Sequence, residues 1–112
     1  MARNISFFYT TQQIRDRTKT VTRRLGWNFL KVGDVLNACL KCQGLRKGEK
    51  IEKICQIRVV SVMKEELYRI SEADVIREGF PEFTRFDFIN MFCNNMKCNT
   101  YKLVNRIEFE YI

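Results

Sequence analysis

Histidine is missing altogether from the 112 residues. That absence removes Ser-His-Asp and Cys-His hydrolases and every His-ligated metal site. Proton transfer is left to lysine, carboxylates, tyrosine or cysteine. Proline occurs once and glycine five times, so the chain has few of the breakers that enrich disordered segments. Long apolar runs are missing too. Residues 1–9 hold one Arg and a short apolar stretch, too brief for a secretory core and well below the ~20 residues that span a bilayer. A cytoplasmic protein with no membrane partner is the expectation. The five cysteines form an odd set without an export signal, which fits a reducing compartment better than a disulfide framework.

What is present points to a folded chain. Hydrophobic residues make up 46%, with nine Phe, and the length suits one domain over 1–112 with a single core. The net charge of +7 favours anionic partners such as nucleotides or RNA through long-range attraction.

Local patterns give the elements. Residues 5–9 form a β-prone run, and Thr10 with Gln13 has the spacing of a capping box that opens a short helix to about Arg17. Residues 18–24 (TKTVTRR) are rich in β-branched types and read as extended chain. A turn at Lys31-Val32-Gly33-Asp34 leads into a strand over 35–41 that is apolar on both faces. A long strand is predicted over 51–62, bulged where its alternation slips at Val59-Val60. Ser71 caps a helix ending before Gly79, and Thr84 opens another that carries Phe88, Ile89, Met91 and Phe92 inward. Phe83 and Phe86 join that core set at helical spacing. Ile107, Phe109 and Tyr111 alternate with Arg106, Glu108 and Glu110 as in a half-buried strand. Strands at both ends with helices between them indicate an α+β domain on a curled, mostly antiparallel sheet, closed or partly closed as a barrel.

The densest chemistry lies in Lys19-Thr20-Val21-Thr22-Arg23-Arg24: an amine, two hydroxyls and two guanidinium groups within six residues. The runs TKTVTRR, LKVGDVL, VIREGF and VNRIEFEYI, in that order, resemble the ASCH family, and the resemblance extends from Ile5 to Ile112. It implies a PUA-like β-barrel with short flanking helices. The signature of that superfamily is a Gly, one residue, a Lys, four residues and an Arg. Here Lys19 and Arg24 fill two of the places, and Arg17 stands where the family has Gly. If the helix ends there in a left-handed conformation, a non-Gly residue costs on the order of 1 kcal/mol.

Within the family, the functional resemblance is to small bacterial N4-acetylcytidine amidohydrolases. These use a Lys and a Thr of the motif and a Glu from a later helical segment, which fall on Lys19, Thr22 and Glu78. The resemblance therefore implies cleavage of the N4-acyl amide of a cytosine nucleoside, without metal or organic cofactor. Such chemistry needs a nucleophile, a group to take its proton and an acid for the departing amine. Thr22 would supply the hydroxyl, neutral Lys19 would take the proton, and Glu78 would deliver one to the exocyclic nitrogen. A version in which Thr22 orients an attacking water fits equally. Lys19 needs a lowered pKa, which burial near Arg23 or Arg24 favours and a nearby Glu78 opposes. Arg24 and Arg23 suit a carbonyl or phosphate, and Phe8 and Tyr9 suit stacking on the base. Positions 19 and 22 point to opposite faces of an ideal strand, so Lys19 is expected at the helix-to-strand junction.

Competing readings attach to the same residues. Without the resemblance TKTVTRR reads as a solvated edge strand, and Glu78 reads equally as a surface residue at a helix end. Cys39-x-x-Cys42 and Cys93-x4-Cys98 suggest zinc, but neither spacing presets a chelating pair on a regular strand or helix, so free thiols are expected. Trp27, Phe29 and Leu30 offer an aromatic platform or core packing. At the level of function, the rival to an enzyme is a module that binds RNA or a modified nucleotide without chemistry.

Overall fold

In the computed structural model, which describes residues 2–112, five strands and three α-helices follow the order β1 (Arg3–Ser6), α1 (Thr11–Arg15), β2 (Val21–Arg24), β3 (Val35–Cys39), β4 (Lys53–Glu66), α2 (Glu72–Arg77), α3 (Arg85–Met96) and β5 (Leu103–Tyr111). The strands form one sheet in the order β1-β3-β4-β5-β2, with β1 parallel to β3 and the other pairs antiparallel. The sheet curls into a half-barrel, and β1 and β2 are the two edges facing an open seam.

The long strand β4 carries its register shift between Val59 and Ser61. The extra residue, Val60, lies where the alternation slips, and a bulge there lets one strand bend along the curl. Its central position gives β4 partners on both sides, β3 and β5. The tight turn before β3 forms at Gly33 (φ 94°), with the Lys31 N–H donating to the Asp34 carboxylate at 2.9 Å.

Two apolar clusters fill the interior. One joins Ile5, Phe7, Ile14, Leu36, Ile57, Val59, Ile107 and Phe109 on the sheet and α1. The other joins Leu67, Ile70, Val75, Phe88, Ile89, Phe92 and Val104 beneath α2 and α3. Strand β5 feeds both, through Ile107 and Phe109 to the first and Val104 to the second.

Several local expectations are corrected. Strand β1 stops at Ser6, and Phe8–Thr10 form a 3-10 turn, so Phe8 and Tyr9 are not on a strand. Thr10 makes no side-chain cap on α1, which ends at Arg15 rather than Arg17. The box forms instead at Thr84 and Asp87 on α3. Phe86 on α3 is 72% exposed, and Phe83, also exposed, lies before the helix with its ring stacked on Phe80 at 4.8 Å. Among the described residues, no helix is long and apolar enough to cross a membrane.

Candidate active site

The expected site residues meet at the seam. Two residues past the end of helix α1, Arg17 has φ 62°, the left-handed turn that a Gly would take without strain. The Gln13 carbonyl accepts from the N–H groups of Thr18 and Lys19, at 3.0 and 3.3 Å, and the Tyr111 hydroxyl donates to the Lys19 carbonyl at 2.5 Å. The Thr20 N–H then donates to the Arg77 carbonyl at 2.9 Å, tying the entry of β2 to the end of α2. Lys19 thus sits at the helix-to-strand junction, free of the alternation that would set it opposite Thr22.

Glu78 caps the end of α2 and is 2% exposed, so it is no surface residue. Lys19 Nζ donates to Glu78 Oε1 at 2.8 Å and to the Glu78 carbonyl at 2.7 Å. Glu78 Oε2 accepts from Arg23 Nη1 at 3.0 Å. Thr22 and Arg24, two apart on β2, share a face, and Arg24 Nε donates to Thr22 Oγ1 at 3.0 Å. Arg24 Nη2 reaches across the seam to the Ser6 carbonyl at 2.6 Å, and its guanidinium lies 4.8 Å from the Phe7 ring centroid. One side chain therefore fastens the two sheet edges.

Lys19, Thr22, Arg23, Arg24 and Glu78 line one cleft of about 210 Å³, together with Ser6, Phe8, Tyr9 and, on its apolar wall, Phe88, Met91 and Phe92. Phe7 comes from the first core cluster and Phe88 and Phe92 from the second, so the cleft opens where the two meet. Strand β2 is an edge, but Val21, Thr22 and Arg23 on it are buried, which sets aside the solvated-edge reading. The exposed rings of Phe8 and Tyr9, 5.4 Å apart and edge to face, stand at the mouth.

Burial lowers the Lys19 pKa below the ordinary 10.5. Glu78 pulls the other way by charge and hydrogen bond, and Arg24 and Arg23 reinforce the lowering. Burial likewise brings Arg24 down to about 10, against the attraction of Glu78. Arg23 is raised: its burial disfavours the cation, but Glu78, Asp74 and Glu65 outweigh it.

Arg23 lines the cleft with most of its donors already engaged. Its Nη2 is held by Glu65 at 2.5 Å and Asp74 at 2.6 Å, while Nη1 holds Glu78. These bonds fix Glu78 and leave Nε as the buried nitrogen of Arg23 without a partner. Behind it, Asp74 accepts from Arg106 at 2.7 and 3.1 Å and from Arg77 at 3.0 Å. Nothing in the sequence pattern separated Arg106 from the solvated face of its strand. The faint signal for Asp74 was its place three residues before Arg77.

The cysteines are all free thiols. Helix α3 ends at Met96 and Lys97 turns left-handed (φ 54°), which folds Cys98 back to within hydrogen-bonding reach of Cys93. Cys39 similarly meets Cys42, and burial pushes the Cys39 thiol up to about 11. Among the described residues, no three Cys, Asp or Glu side chains gather as metal ligands would.

The sequence matches no family model and no curated protein. Solved structures do match. An ASCH domain from Lactobacillus crispatus JV V101 superposes with a TM-score of 0.61 at 17% identity, over 98% of this chain and 79% of the other. This is the ASCH fold. Protein EF3133 of Enterococcus faecalis V583, described with the family model DUF984, gives 0.66 at 14% identity over 99% and 79%. The hypothetical protein PH0355 gives 0.65 at 15% over 99% and 97%. Within the ASCH fold, the cleft described here lies along the seam of the half-barrel, where edge-strand side chains are free of sheet partners.

Proposed function

We propose that this ASCH-fold protein is an amidohydrolase that cleaves the N4-acyl amide of N4-acetylcytidine or related N4-acyl cytosine nucleosides. The observation that carries the reading is the meeting of a buried amine, hydroxyl and carboxylate in one cleft: Lys19, Thr22 and Glu78, with Lys19 Nζ and Glu78 Oε1 2.8 Å apart.

The geometry suits the chemistry. A neutral lysine amine has two N–H bonds, and both have acceptors in Glu78, at its carbonyl and at Oε1. The lone pair is then left for a proton from the cleft. The Thr22 oxygen already accepts from Arg24 Nε, which stabilises the negative charge that develops there as its proton leaves. Thr22 Oγ1 attacks the acyl carbon and its proton passes to Lys19 Nζ. The tetrahedral intermediate collapses with cleavage of the bond to N4, which takes a proton relayed from Lys19 through the Glu78 carboxylate. Water then gives a proton to Lys19 as it attacks the acyl carbon; the bond to Thr22 Oγ1 breaks, Oγ1 takes that proton back from Lys19, and the acid leaves as a carboxylate with one proton lost to solvent. If Thr22 instead orients the water, the same proton relay serves a single displacement.

The test is to incubate the purified protein with N4-acetylcytidine and follow cytidine. Release that is lost in Lys19→Ala and in Thr22→Ala supports the reading. Near wild-type turnover in either variant retires the mechanism. No turnover by the wild type, with salt-sensitive RNA binding, assigns the cleft to recognition without chemistry.

A further inference from the structure

The cleft at Lys19 is small for a whole nucleoside with its acyl group. At about 210 Å³ it is below the roughly 300 Å³ from which pockets for drug-sized ligands begin. It suits the acylated base, and the rest of the ligand must lie outside it. A second chamber of about 480 Å³ adjoins it, sharing Ser6, Phe8, Tyr9 and Arg24 as a common wall. This chamber adds Trp27, Lys41, Asn4 and Gln43, and none of Lys19, Thr22 or Glu78 lines it.

Its make-up differs from that of the inner cleft. Trp27, partly buried against the first core cluster and 5.4 Å from the Phe29 ring, lines the chamber with two cationic side chains, Arg24 and Lys41. Lys41 is tied only loosely, 3.8 Å from Glu49. Trp27 itself adopts φ 61°, a left-handed conformation that disfavours a bulky residue by about 1–2 kcal/mol. The surroundings impose it. The Gly26 carbonyl accepts from Asn105, and Asn28 Oδ1 accepts from Asn105 Nδ2 at 2.9 Å and Lys64 Nζ at 2.7 Å. Strain of this kind persists where the surrounding bonds hold it, and it is found at ligand sites.

We infer that the outer chamber is a subsite for a neighbouring nucleotide, its base stacked on Trp27 and its phosphate between Arg24 and Lys41. The substrate class is then an N4-acylated cytosine within a single-stranded chain, in preference to the free nucleoside. The inference rests on the proposed function for the identity of the inner base, but not for the stacking at Trp27.

Trp27 is the only tryptophan in the sequence and lines the outer chamber but not the inner cleft, so its emission separates binding at the two. The protein is titrated with N4-acetylcytidine, with its 5′-monophosphate, and with a trinucleotide carrying it in the middle. The trinucleotide is expected to quench Trp27 and to bind about 10-fold or more tighter than the nucleoside, the factor one stacked base supplies. The nucleoside is expected to leave the emission unchanged. Lys41→Gln is expected to weaken the trinucleotide several-fold and to lower the salt slope of its binding by about one. Unchanged Trp27 emission at saturating trinucleotide overturns the subsite. So does a monophosphate that binds as tightly as the trinucleotide. Failure to release acetate from any of the three, with the quenching intact, defeats the catalytic reading and leaves the subsite standing.

Discussion

Lys19 has to be neutral to act as a base, and its surroundings set the sign of the pH dependence. Its pKa in the fold lies below 10.5, so raising the pH deprotonates the amine. A plot of kcat/KM against pH should therefore rise along an acid limb whose midpoint is below the ordinary lysine value. A limb at or above 10.5 rules out Lys19 as the base. Lys19→Met keeps the volume and leaves Glu78 its bond to Arg23. We expect turnover to fall by roughly 10²–10⁴ with the thermal midpoint retained, measured on the same preparation. The clustering of these residue types was legible in TKTVTRR. That Arg23 serves three carboxylates was not, because Glu65, Asp74 and Glu78 are far away in sequence and nothing local marks them as its partners.

At the scale of elements, the junction of α1 and α2 sets the distance between Lys19 and Glu78. Gly79 has φ 102°, and a Cβ there would meet Gln13 Cγ at 2.8 Å. Gln13 is the residue whose carbonyl receives the Thr18 and Lys19 N–H groups. Gly79→Ala should destabilise the fold by more than about 1 kcal/mol and lower kcat as well, read by urea unfolding and by turnover. Helix α2 is held to β5 and β2 through Asp74. Burial disfavours that carboxylate, but hydrogen bonds from Arg106, Arg23 and Arg77 prevail and hold its pKa well below 3.8. Its stabilisation is present above 3.8 and is lost as the pH falls from there toward the folded value. Asp74→Asn should flatten this acid limb in unfolding measured across that window, and Asp74→Ala should cost roughly 3–5 kcal/mol by leaving Arg23 and Arg106 without it. At the end of α3, exposed Lys97 sits left-handed, so Lys97→Gly should raise stability by about 0.5–1 kcal/mol in the same assay. The caps at Ser71 and Thr84 and the bulge near Val60 were readable because each depends on residues a few positions apart. The cap at Thr10 failed because the chain enters α1 from a 3-10 turn and not from extended backbone.

For the whole molecule, the net charge of +7 surrounds the seam with a field that attracts anions and is screened by salt over about 10 Å at 0.1 M. If substrates bind as proposed, added salt should raise KM for an acylated trinucleotide and leave KM for the neutral nucleoside nearly constant. Equal responses would show that charge plays no part in capture.

The sequence by itself determined most of the elements, the ASCH likeness and the types of chemical group in the cleft, since turns, caps, alternation and motif order are properties of near neighbours along the chain. It also determined the left-handed demand at Arg17, through the signature that places a Gly there. Tertiary structure decided the rest: that Lys19, Thr22 and Glu78 share one cleft, that burial prevails over Glu78 in setting the Lys19 pKa, and that Arg24 closes the seam to Ser6. These depend on desolvation and on distances between residues far apart in sequence, which exist only once the sheet has curled and α2 has packed across it.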